Sequence, residues 1–291
     1  MVGTALTKLL QDHGYEVAHM SRTEDLSGEV KAYGWDSLKG KKAEAALNNL
    51  HAVVHLAGAG IADSRWTDSR KKVIIDSRVQ TALALHDACR RTGLMPKAFI
   101  SASGINYYGS NTTDKIHVES DPPATSFIGQ CCVVWEGAAK RFESDTCRVA
   151  MLRTGVVLSD RGGALPRIAA PVKLGMGAAL GSGKQYMPYI HIDDLCTMYL
   201  HVIEKESVEG PYNAVNGDHV NNVELTRTIA HELNKPLWLP KVPGFALRFA
   251  LGELSEILLE GSRASDEKIR STGFKPAFEN LEAAVKEIYN K

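Results

Sequence analysis

The stretch Ala52–Arg78, with the sequence AVVHLAGAGIADSRWTDSRKKVIIDSR, predicts a strand, a turn of small residues and a helix in succession. Its opening run, 52–56, is apolar, rich in β-branched side chains and too short for a helix, which is typical of a strand buried on both faces. The small residues 57–60 follow, and from Thr67 onward the apolar spacing becomes helical. Because small residues at the carboxyl end of a parallel strand let a ligand lie close to the backbone, we expect a binding edge here.

The totals of charged residues and cysteines limit the classes of function. The 291 residues include 34 Lys and Arg and 34 Asp and Glu, so no overall basic field attracts nucleic acid or an anionic membrane. The five cysteines lack the spacing of a zinc site, and an odd number in apolar segments indicates reduced thiols in the cytoplasm. No apolar run approaches the roughly 20 residues that span a bilayer. We expect a cytoplasmic monomer or homodimer with a small-molecule substrate, no nucleic-acid partner and no membrane contact.

Strand and helix patterns alternate through the first half of the chain. The strand patterns cover 15–20, 52–56, 97–101 and 148–153. Helical spacing fills most of the intervals between them. This alternation predicts an α/β fold built on a doubly wound parallel sheet.

The second half contains a loop-rich stretch followed by helices. Pro166, Pro171 and several glycines predict loops suited to a lid over a substrate. A helix begins near His191 with an aspartate as its N-cap, and further helical patterns lie near 222–234, 244–259, 265–272 and 279–289. We expect a nucleotide-binding, Rossmann-like domain over 1–159 and a mainly helical, substrate-binding domain over 160–291, with 190–215 returning to the sheet.

Several longer motifs carry a resemblance to a known family. They are HLAG at 55–58, RW at 65–66, an SR-V-x-T segment at 77–81, RTGVVLSDRGGAL at 153–165, GSGKQYMPYIHIDDL at 181–195 and LLEGSRASDEKIRSTGF at 258–274. With these motifs the chain resembles the epimerase-like subfamily of the extended short-chain dehydrogenase/reductases over essentially its whole length. The resemblance implies hydride transfer between a nicotinamide cofactor and a carbonyl or alcohol.

The first residues predict a helix that lacks the strand a dinucleotide site requires before it. One face of this helix carries Leu6, Leu9 and Leu10. A dinucleotide unit consists of a strand, a glycine-rich turn and then this helix, whose N-terminus holds the pyrophosphate. By resemblance, Gly3 is the third glycine of that turn and allows close packing of helix and strand. We interpret Met1 as an internal methionine taken as a start, or else the chain as truncated, and expect weak cofactor binding.

Residues at several strand ends are expected to contact the cofactor. Ser21 and Arg22 follow a strand at the place where an NAD site carries a carboxylate, and a hydroxyl and a cation there favour the 2′-phosphate of NADP. Arg78 lies near the same edge, where its guanidinium could meet a phosphate or pair with a carboxylate. By resemblance, the remaining cofactor-binding residues are Gly3, Leu56, Ala57, Gly58, Ser101, Thr154, Gly155 and Val156.

The Tyr-x-x-x-Lys pair of this superfamily, in which the lysine lowers the pKa of the phenol, is absent. Phe127 or Ile128 stands at the place of the tyrosine, and Cys131 or Cys132 at that of the lysine, so no phenolate can form there. Ser103 matches the serine that orients the substrate oxygen, or else it bonds the backbone at a strand end. Tyr107 or Tyr108 could replace the tyrosine, although tyrosines beside a glycine are also packing residues.

Other reactive side chains have simpler interpretations. Cys131 and Cys132 have no basic neighbour in the sequence, so we expect buried, inert thiols. His55 ends a strand and is expected to be a hydrogen-bonded core residue. His191 and Asp193 have the spacing of two metal ligands but lack a third, so no metal site is predicted.

Two functions therefore compete. The first is an NADP-dependent oxidoreductase or sugar-nucleotide-epimerase-like enzyme of unknown substrate, favoured by Ser103 and by the loop-rich stretch. The second is a catalytically inactive NADP-binding sensor or interaction protein, favoured by the absent tyrosine and lysine.

Overall fold

The computed structural model describes residues 1–40 and 42–290. Its strands are β1 (His19–Ser21), β2 (Ala32–Gly34), β3 (Ala52–His55), β4 (Ala98–Gly104), β5 (Ile116–His117), β6 (Arg148–Thr154), β7 (Val156–Leu158), β8 (Tyr189–His191), β9 (Gly210–Ala214) and β10 (Arg263–Ala264). Its helices are α1 (Val2–Asp12), α2 (Lys42–Leu47), α3 (Asp68–Thr92), α4 (Phe127–Ala139), α5 (Ala164–Lys173), α6 (Ile192–Glu204), α7 (Asn222–Glu232), α8 (Gly244–Leu251), α9 (Glu256–Leu259), α10 (Glu267–Ser271) and α11 (Leu281–Tyr289).

The central sheet has four parallel strands in the order β3, β4, β6, β9. Because the strands are parallel, their carboxyl ends meet at one edge, where Gly104 lies opposite Thr154. The last strand, Gly210–Ala214, comes from far along the chain and pairs with β6. The doubly wound α/β fold predicted from the alternation is confirmed, and the domain boundary near residue 159 stays a prediction.

Helices cover both faces of this sheet. Successive strand residues point to opposite faces, so Phe99 packs with α3 and α4 while Ile100 packs with α1 and α6. The long helix α3 begins after Thr67, whose side chain accepts a hydrogen bond from the Arg70 N–H, and ends at Gly93, which has a φ of 74°. Thus α3 lies against the sheet with its N-terminal half beside the carboxyl edge.

The outer edge of β3 pairs with no strand among residues 1–40 and 42–290. The strands β1 and β2 form a separate parallel pair. Helix α1 contacts both sheets, because Thr7 Oγ1 lies 2.8 Å from His19 Nε2 and Gly3 packs beside Leu56. The upstream strand that the sequence predicts would pair with the outer edge of β3 and with the β1–β2 pair, and it stays a prediction.

The C-terminal part is mostly helical, as predicted. Helices α5, α7 and α11 enclose a separate apolar cluster with Tyr189 of β8, and residues 244–259 form α8, a 3₁₀ turn and α9. Within the described part of the chain, no helix is both long and apolar enough to cross a membrane.

Three local predictions were wrong. The strand expected over 15–20 is paired only at 19–21, where β2 supplies a partner. The loops expected around Pro166 and Pro171 include α5, in which Pro166 lies in the first turn, where an N–H is not needed. The N-cap of α6 is His191 rather than an aspartate, and its Nδ1 accepts a hydrogen bond from the Asp193 N–H at 3.2 Å.

Candidate functional site at the carboxyl edge of the sheet

The turn after β3 is held by side chains of α3. Ser77 Oγ accepts a hydrogen bond from the Ala59 N–H at 2.9 Å, and Arg78 Nη1 donates to the Ala59 carbonyl at 3.1 Å. Arg70 Nη2 donates to the Gly60 carbonyl. A Cβ on Gly58 would lie 2.9 Å from Arg78 Cζ, so a larger residue there would have to displace this guanidinium. The predicted binding turn is therefore rigid, and its positive surroundings suit an anion.

Arg78 is the most deeply buried of the clamping residues, with 6% of its surface exposed. Nη1 also donates to the Ile74 carbonyl at 2.9 Å, and Cζ lies 4.7 Å from the Trp135 ring centroid. Nε has no hydrogen-bond partner among the described residues. Burial lowers the pKa of Arg78, and the charge of Arg70 adds to this effect. Burying a charge without an acidic partner is costly, so its hydrogen bonds to the backbone carbonyls matter.

Ser21 and Arg22 lie at the end of β1, as the sequence predicted. Ser21 Oγ accepts a hydrogen bond from the Thr23 N–H at 3.3 Å. The side chain of Arg22 is exposed and pairs with no described residue. Both residues therefore have donors available for a phosphate.

Gly3 lies in the first turn of α1, which has no side-chain cap and no acidic residue. The free N–H groups of that turn suit a phosphate. A methyl group on Gly3 would meet Leu56 Cδ1 at 3.8 Å, an ordinary contact. The close approach of helix and strand that the resemblance implies at Gly3 stays a prediction.

The residues after β6 are partly exposed at the same edge. A Cβ on Gly155 would lie 2.5 Å from the Pro188 oxygen, so the close crossing of these chains needs glycine. The Gly155 N–H donates to the Ala214 carbonyl at 3.1 Å and the Val156 N–H to the Pro188 carbonyl at 2.7 Å. A ligand at Thr154–Val156 would use other groups, because these two N–H groups are already paired.

A buried polar network lies behind this edge. Arg153 and Glu136 form a two-pronged ion pair, with Nε to Oε1 at 2.8 Å and Nη2 to Oε2 at 2.9 Å. Ser103 Oγ donates to the same Oε1 at 2.8 Å. Ser101, fully buried, donates to the Ala102 carbonyl. Ser103 therefore holds its proton toward Glu136, and only its oxygen lone pairs remain for a further partner.

The two tyrosines proposed as substitutes differ in their surroundings. The Tyr108 hydroxyl donates to Asn213 Oδ1 at 2.8 Å and accepts from Arg153 Nη1 at 2.9 Å. Burial raises the pKa of Tyr108 to about 12. Tyr107 is half-buried, and its ring lies over the Arg153 guanidinium, 3.4 Å from centroid to Cζ. Of the two, only Tyr107 keeps a hydroxyl without a partner in the described residues.

Comparison with known proteins decides the family. The sequence profile of the NAD dependent epimerase/dehydratase family matches residues 1–216. The chain belongs to this family. A profile for DUF1731, a domain of unknown function, matches residues 242–288, which include the helices α8 to α11.

Relatives of this epimerase-family chain align with nearly all of it. The human epimerase family protein SDR39U1 is 34% identical over 290 residues, covering 99% of this chain and 96% of its own. A crystal structure of human SDR39U1 (isoform 2) with NADPH has a TM-score of 0.91 at 33% identity, covering 100% of this chain and 96% of that one. The nucleoside-diphosphate sugar epimerase from Corynebacterium glutamicum has a TM-score of 0.79 at 29% identity, covering 100% and 56%.

At the place where the resemblance puts a tyrosine and a lysine, α4 carries Phe127 or Ile128 and Cys131 or Cys132 instead. The Phe127 ring packs edge-on against Trp66, with centroids 5.1 Å apart. Cys131 is buried, and burial raises the pKa of its thiol while the Arg78 charge partly offsets that effect. Cys131 and Cys132 are both buried, as predicted, and burial raises the pKa of each thiol, so both are protonated at neutral pH and inert.

Two further histidine predictions can be compared with this epimerase-family structure. His55 is buried, with Nε2 at 2.9 Å from Thr81 Oγ1 and Nδ1 accepting from Trp135 Nε1 at 3.4 Å, so its predicted core role is confirmed. His191 and Asp193 do have a third candidate ligand, Glu287, contrary to the sequence interpretation. Both ring nitrogens of His191 are engaged, Nδ1 by the Asp193 N–H and Nε2 by Glu287 at 3.0 Å.

Sequence reasoning missed Glu136, Arg153 and the clamp by Arg70 and Ser77. Glu136 is the one charged residue of the otherwise apolar helix α4, and this contrast was the signal that could have identified it. Arg153 begins the motif at 153–165, in which only Thr154, Gly155 and Val156 were predicted to contact the cofactor. Arg70 looked like part of a solvated basic run, and nothing in the sequence indicated that it folds back onto Gly60.

Proposed function

We propose that this chain binds NADP along the carboxyl edge of its sheet and acts as an oxidoreductase or epimerase on a small substrate. The observation that carries the proposal is its similarity, over the whole chain, to human SDR39U1 solved with NADPH, at 33% identity and a TM-score of 0.91. The bound cofactor would supply hydride transfer to and from carbon. The reduced state of the cysteines, all of which are free thiols, supports a cytoplasmic location.

The residues of the edge suit such a cofactor. The first turn of α1 at Gly3 and the clamped turn of Leu56, Ala57 and Gly58 offer backbone groups beside the cations of α3. Ser21 and Arg22 offer a hydroxyl and a free cation for a 2′-phosphate. Thr154–Val156 would border the nicotinamide end, and Ser101 would support this edge from within the sheet. The orphan Nε of Arg78 adds an unpaired positive group beneath it.

Tyr107 is our candidate proton donor to the substrate oxygen. Its hydroxyl has no described partner, whereas the Tyr108 hydroxyl is engaged on both sides. Ser103 would serve as an acceptor that orients the substrate, because its own proton is donated to Glu136. Replacing Tyr107 by Phe should abolish turnover and leave NADPH affinity unchanged, whereas Tyr108→Phe should act through stability.

A second candidate, an NADP-binding protein without turnover, is favoured by the start of α4. Phe127 or Ile128 stands there in place of the phenol and Cys131 or Cys132 in place of the lysine, and burial keeps both thiols protonated. Such a protein would bind NADPH in the same place and consume none.

The experiment that separates the candidates has two stages. NADPH binding is first measured by fluorescence titration, with Arg22→Ala as the matched control, in the printed chain and in a chain extended upstream by a strand and a glycine turn. NADPH consumption is then followed with a panel of aldehydes, ketones and keto sugars. Binding with turnover supports the enzyme, binding without turnover supports the sensor, and no binding in either chain contradicts both.

A further inference from the structure

Helix α8 turns a hydrophobic face toward the solvent. Phe245 and Phe249 lie one turn apart on this face and are 75% and 87% exposed. Arg248 is exposed beside them, whereas Leu247 and Leu251 are half-buried on the opposite side of the helix. Large apolar side chains that share an exposed face are typical of a surface that binds a partner.

A second group of exposed apolar side chains lies just after α5. Leu174 and Met176 follow that helix, and the Trp238 indole N–H donates to the intervening carbonyl at 3.0 Å. All three side chains are more than half exposed. Backbone hydrogen bonds join the segment 179–181 to Val242, two residues before α8 begins, so this group and α8 belong to adjoining segments. We call the five exposed side chains the apolar patch: Leu174, Met176, Trp238, Phe245 and Phe249.

The two segments that carry the apolar patch contain basic residues and no acidic ones. Residues 161–192 and 233–252 hold seven Lys and Arg and no Asp or Glu. Four of the seven lie within three positions of a patch residue: Lys173, Lys235, Lys241 and Arg248. Acidic residues resume after α8, where Glu253 and two further glutamates line a cavity that Arg248 also borders. The charges of the chain balance overall, but the segments of the patch are positive.

We propose that the apolar patch docks on the surface of a lipid bilayer that is rich in acidic phospholipids. The phenylalanines, Leu174 and Met176 would enter the boundary between headgroups and acyl chains, while the neighbouring cations meet the lipid phosphates. Trp238 suits the headgroup level, where amphipathic rings are favoured. The sequence predicted no membrane contact because only the overall charge was considered. The proposal concerns where the protein lies and is independent of the proposed function.

Two other partners fit the apolar patch less well. In a symmetric dimer the patch would face itself across a two-fold axis and place cations opposite cations. Single-stranded nucleic acid uses cations and aromatic rings, but Leu174 and Met176 offer no ring for a base to stack on. An acidic lipid surface satisfies the aliphatic side chains, the aromatic ones and the charges together.

Vesicle binding tests the proposal. Cosedimentation compares vesicles of phosphatidylcholine alone with vesicles that also contain phosphatidylserine. We expect at least tenfold tighter binding to the acidic vesicles, and weaker binding at high salt because salt screens the cations. Trp66 and Trp135 are buried, so Trp238 should report contact by a shift of its emission to shorter wavelength, and Trp238→Phe should remove that shift.

The apolar contribution is tested by a double variant of α8. Phe245→Ser with Phe249→Ser should weaken binding to acidic vesicles at least tenfold, because two exposed rings no longer leave water. Leu26→Ser with Val73→Ser is the matched control, since both residues are about as exposed as each other and lie outside the patch. The control should bind as the parent does, and the melting temperatures of both variants without vesicles should stay close to that of the parent.

The charge contribution is tested by reversal. Lys235→Glu with Lys241→Glu should remove the preference for acidic vesicles. Lys8→Glu with Lys140→Glu makes the same change in net charge at exposed positions outside the patch and should keep that preference.

Several results would overturn the proposal. They are no binding to acidic vesicles, equal binding to neutral and acidic vesicles, or equal losses in the patch variants and their controls. Self-association without vesicles that Phe245→Ser with Phe249→Ser abolishes would assign the patch to a second copy instead. Binding of a single-stranded oligonucleotide that displaces the vesicles would assign it to nucleic acid. NADPH binding and turnover are measured separately, so their failure would leave this proposal standing and its failure would leave theirs.

Discussion

Single residues of this protein show how burial decides which groups can react. Tyr107 and Tyr108 are adjacent, yet only Tyr108 is fully engaged, because it faces Arg153 and Asn213. The sequence identified both tyrosines as candidates but could not distinguish them, since their difference arises from partners 45 and 105 residues away. Ser103 was likewise identified by position, whereas its bond to Glu136 depends on how α4 packs on β4.

His55 should make the protein less stable in acid. Burial, helped by the charge of Arg78, lowers its pKa from 6.5 to about 4. The unfolded chain therefore takes up a proton at a pH where the folded protein does not, and stability is lost as pH falls from 6.5 toward 4. At about 1.4 kcal/mol per pKa unit, the loss approaches about 3 kcal/mol. Denaturant unfolding at pH 7 and pH 4.5 measures it. A His55→Gln variant with the same pH dependence would contradict this assignment.

Arg22 should determine cofactor preference. If it holds the 2′-phosphate, Arg22→Ala should weaken NADPH binding by about 1.5–3 kcal/mol, the range of a hydrogen bond to a charged group. NADH lacks that phosphate and should bind with nearly unchanged affinity. Calorimetric or fluorescence titration of both cofactors provides the comparison, and equal losses for the two would refute the assignment.

At the scale of helices and strands, the sequence predicted most local elements but not the contacts between distant ones. The helix ending near Thr92 and the four C-terminal helical patterns follow from periodicity and glycine stops. Helix α5 was missed because a proline in the first turn reads as a loop signal although it is tolerated there. The capping of α6 by His191 was missed because imidazole is a rare cap. The Arg153–Glu136 pair joins β6 to α4, and no local pattern indicates such a contact.

The Arg153–Glu136 pair should be essential to the packing of α4 on the sheet. Glu136→Gln leaves a buried guanidinium without its counter-charge, so the free energy of unfolding should fall by about 3–5 kcal/mol. Asp36→Asn is the control, because in its pair with Lys39 the two side chains are 92% and 81% exposed, so water screens the pair and its loss should have little effect. Urea unfolding of both variants tests this. Similar effects for the two would show that burial does not set the strength of the pair.

For the whole molecule, the order of the strands brings together residues that are distant in the sequence. The alternation of strands and helices predicted a parallel sheet, but only the pairing of β9 with β6 places Asn213 beside Arg153.

The central claim is that NADP lies along the carboxyl edge of the sheet. Amide hydrogen exchange with and without NADPH tests it most directly. Slower exchange is expected in the first turn of α1, in the turn at 57–60 and in the segment 154–156, because these backbones would border the cofactor. Helices α7 and α11, which pack in the separate C-terminal cluster, should be unaffected. Protection confined to those helices, or none at the edge under saturating NADPH, would contradict the claim.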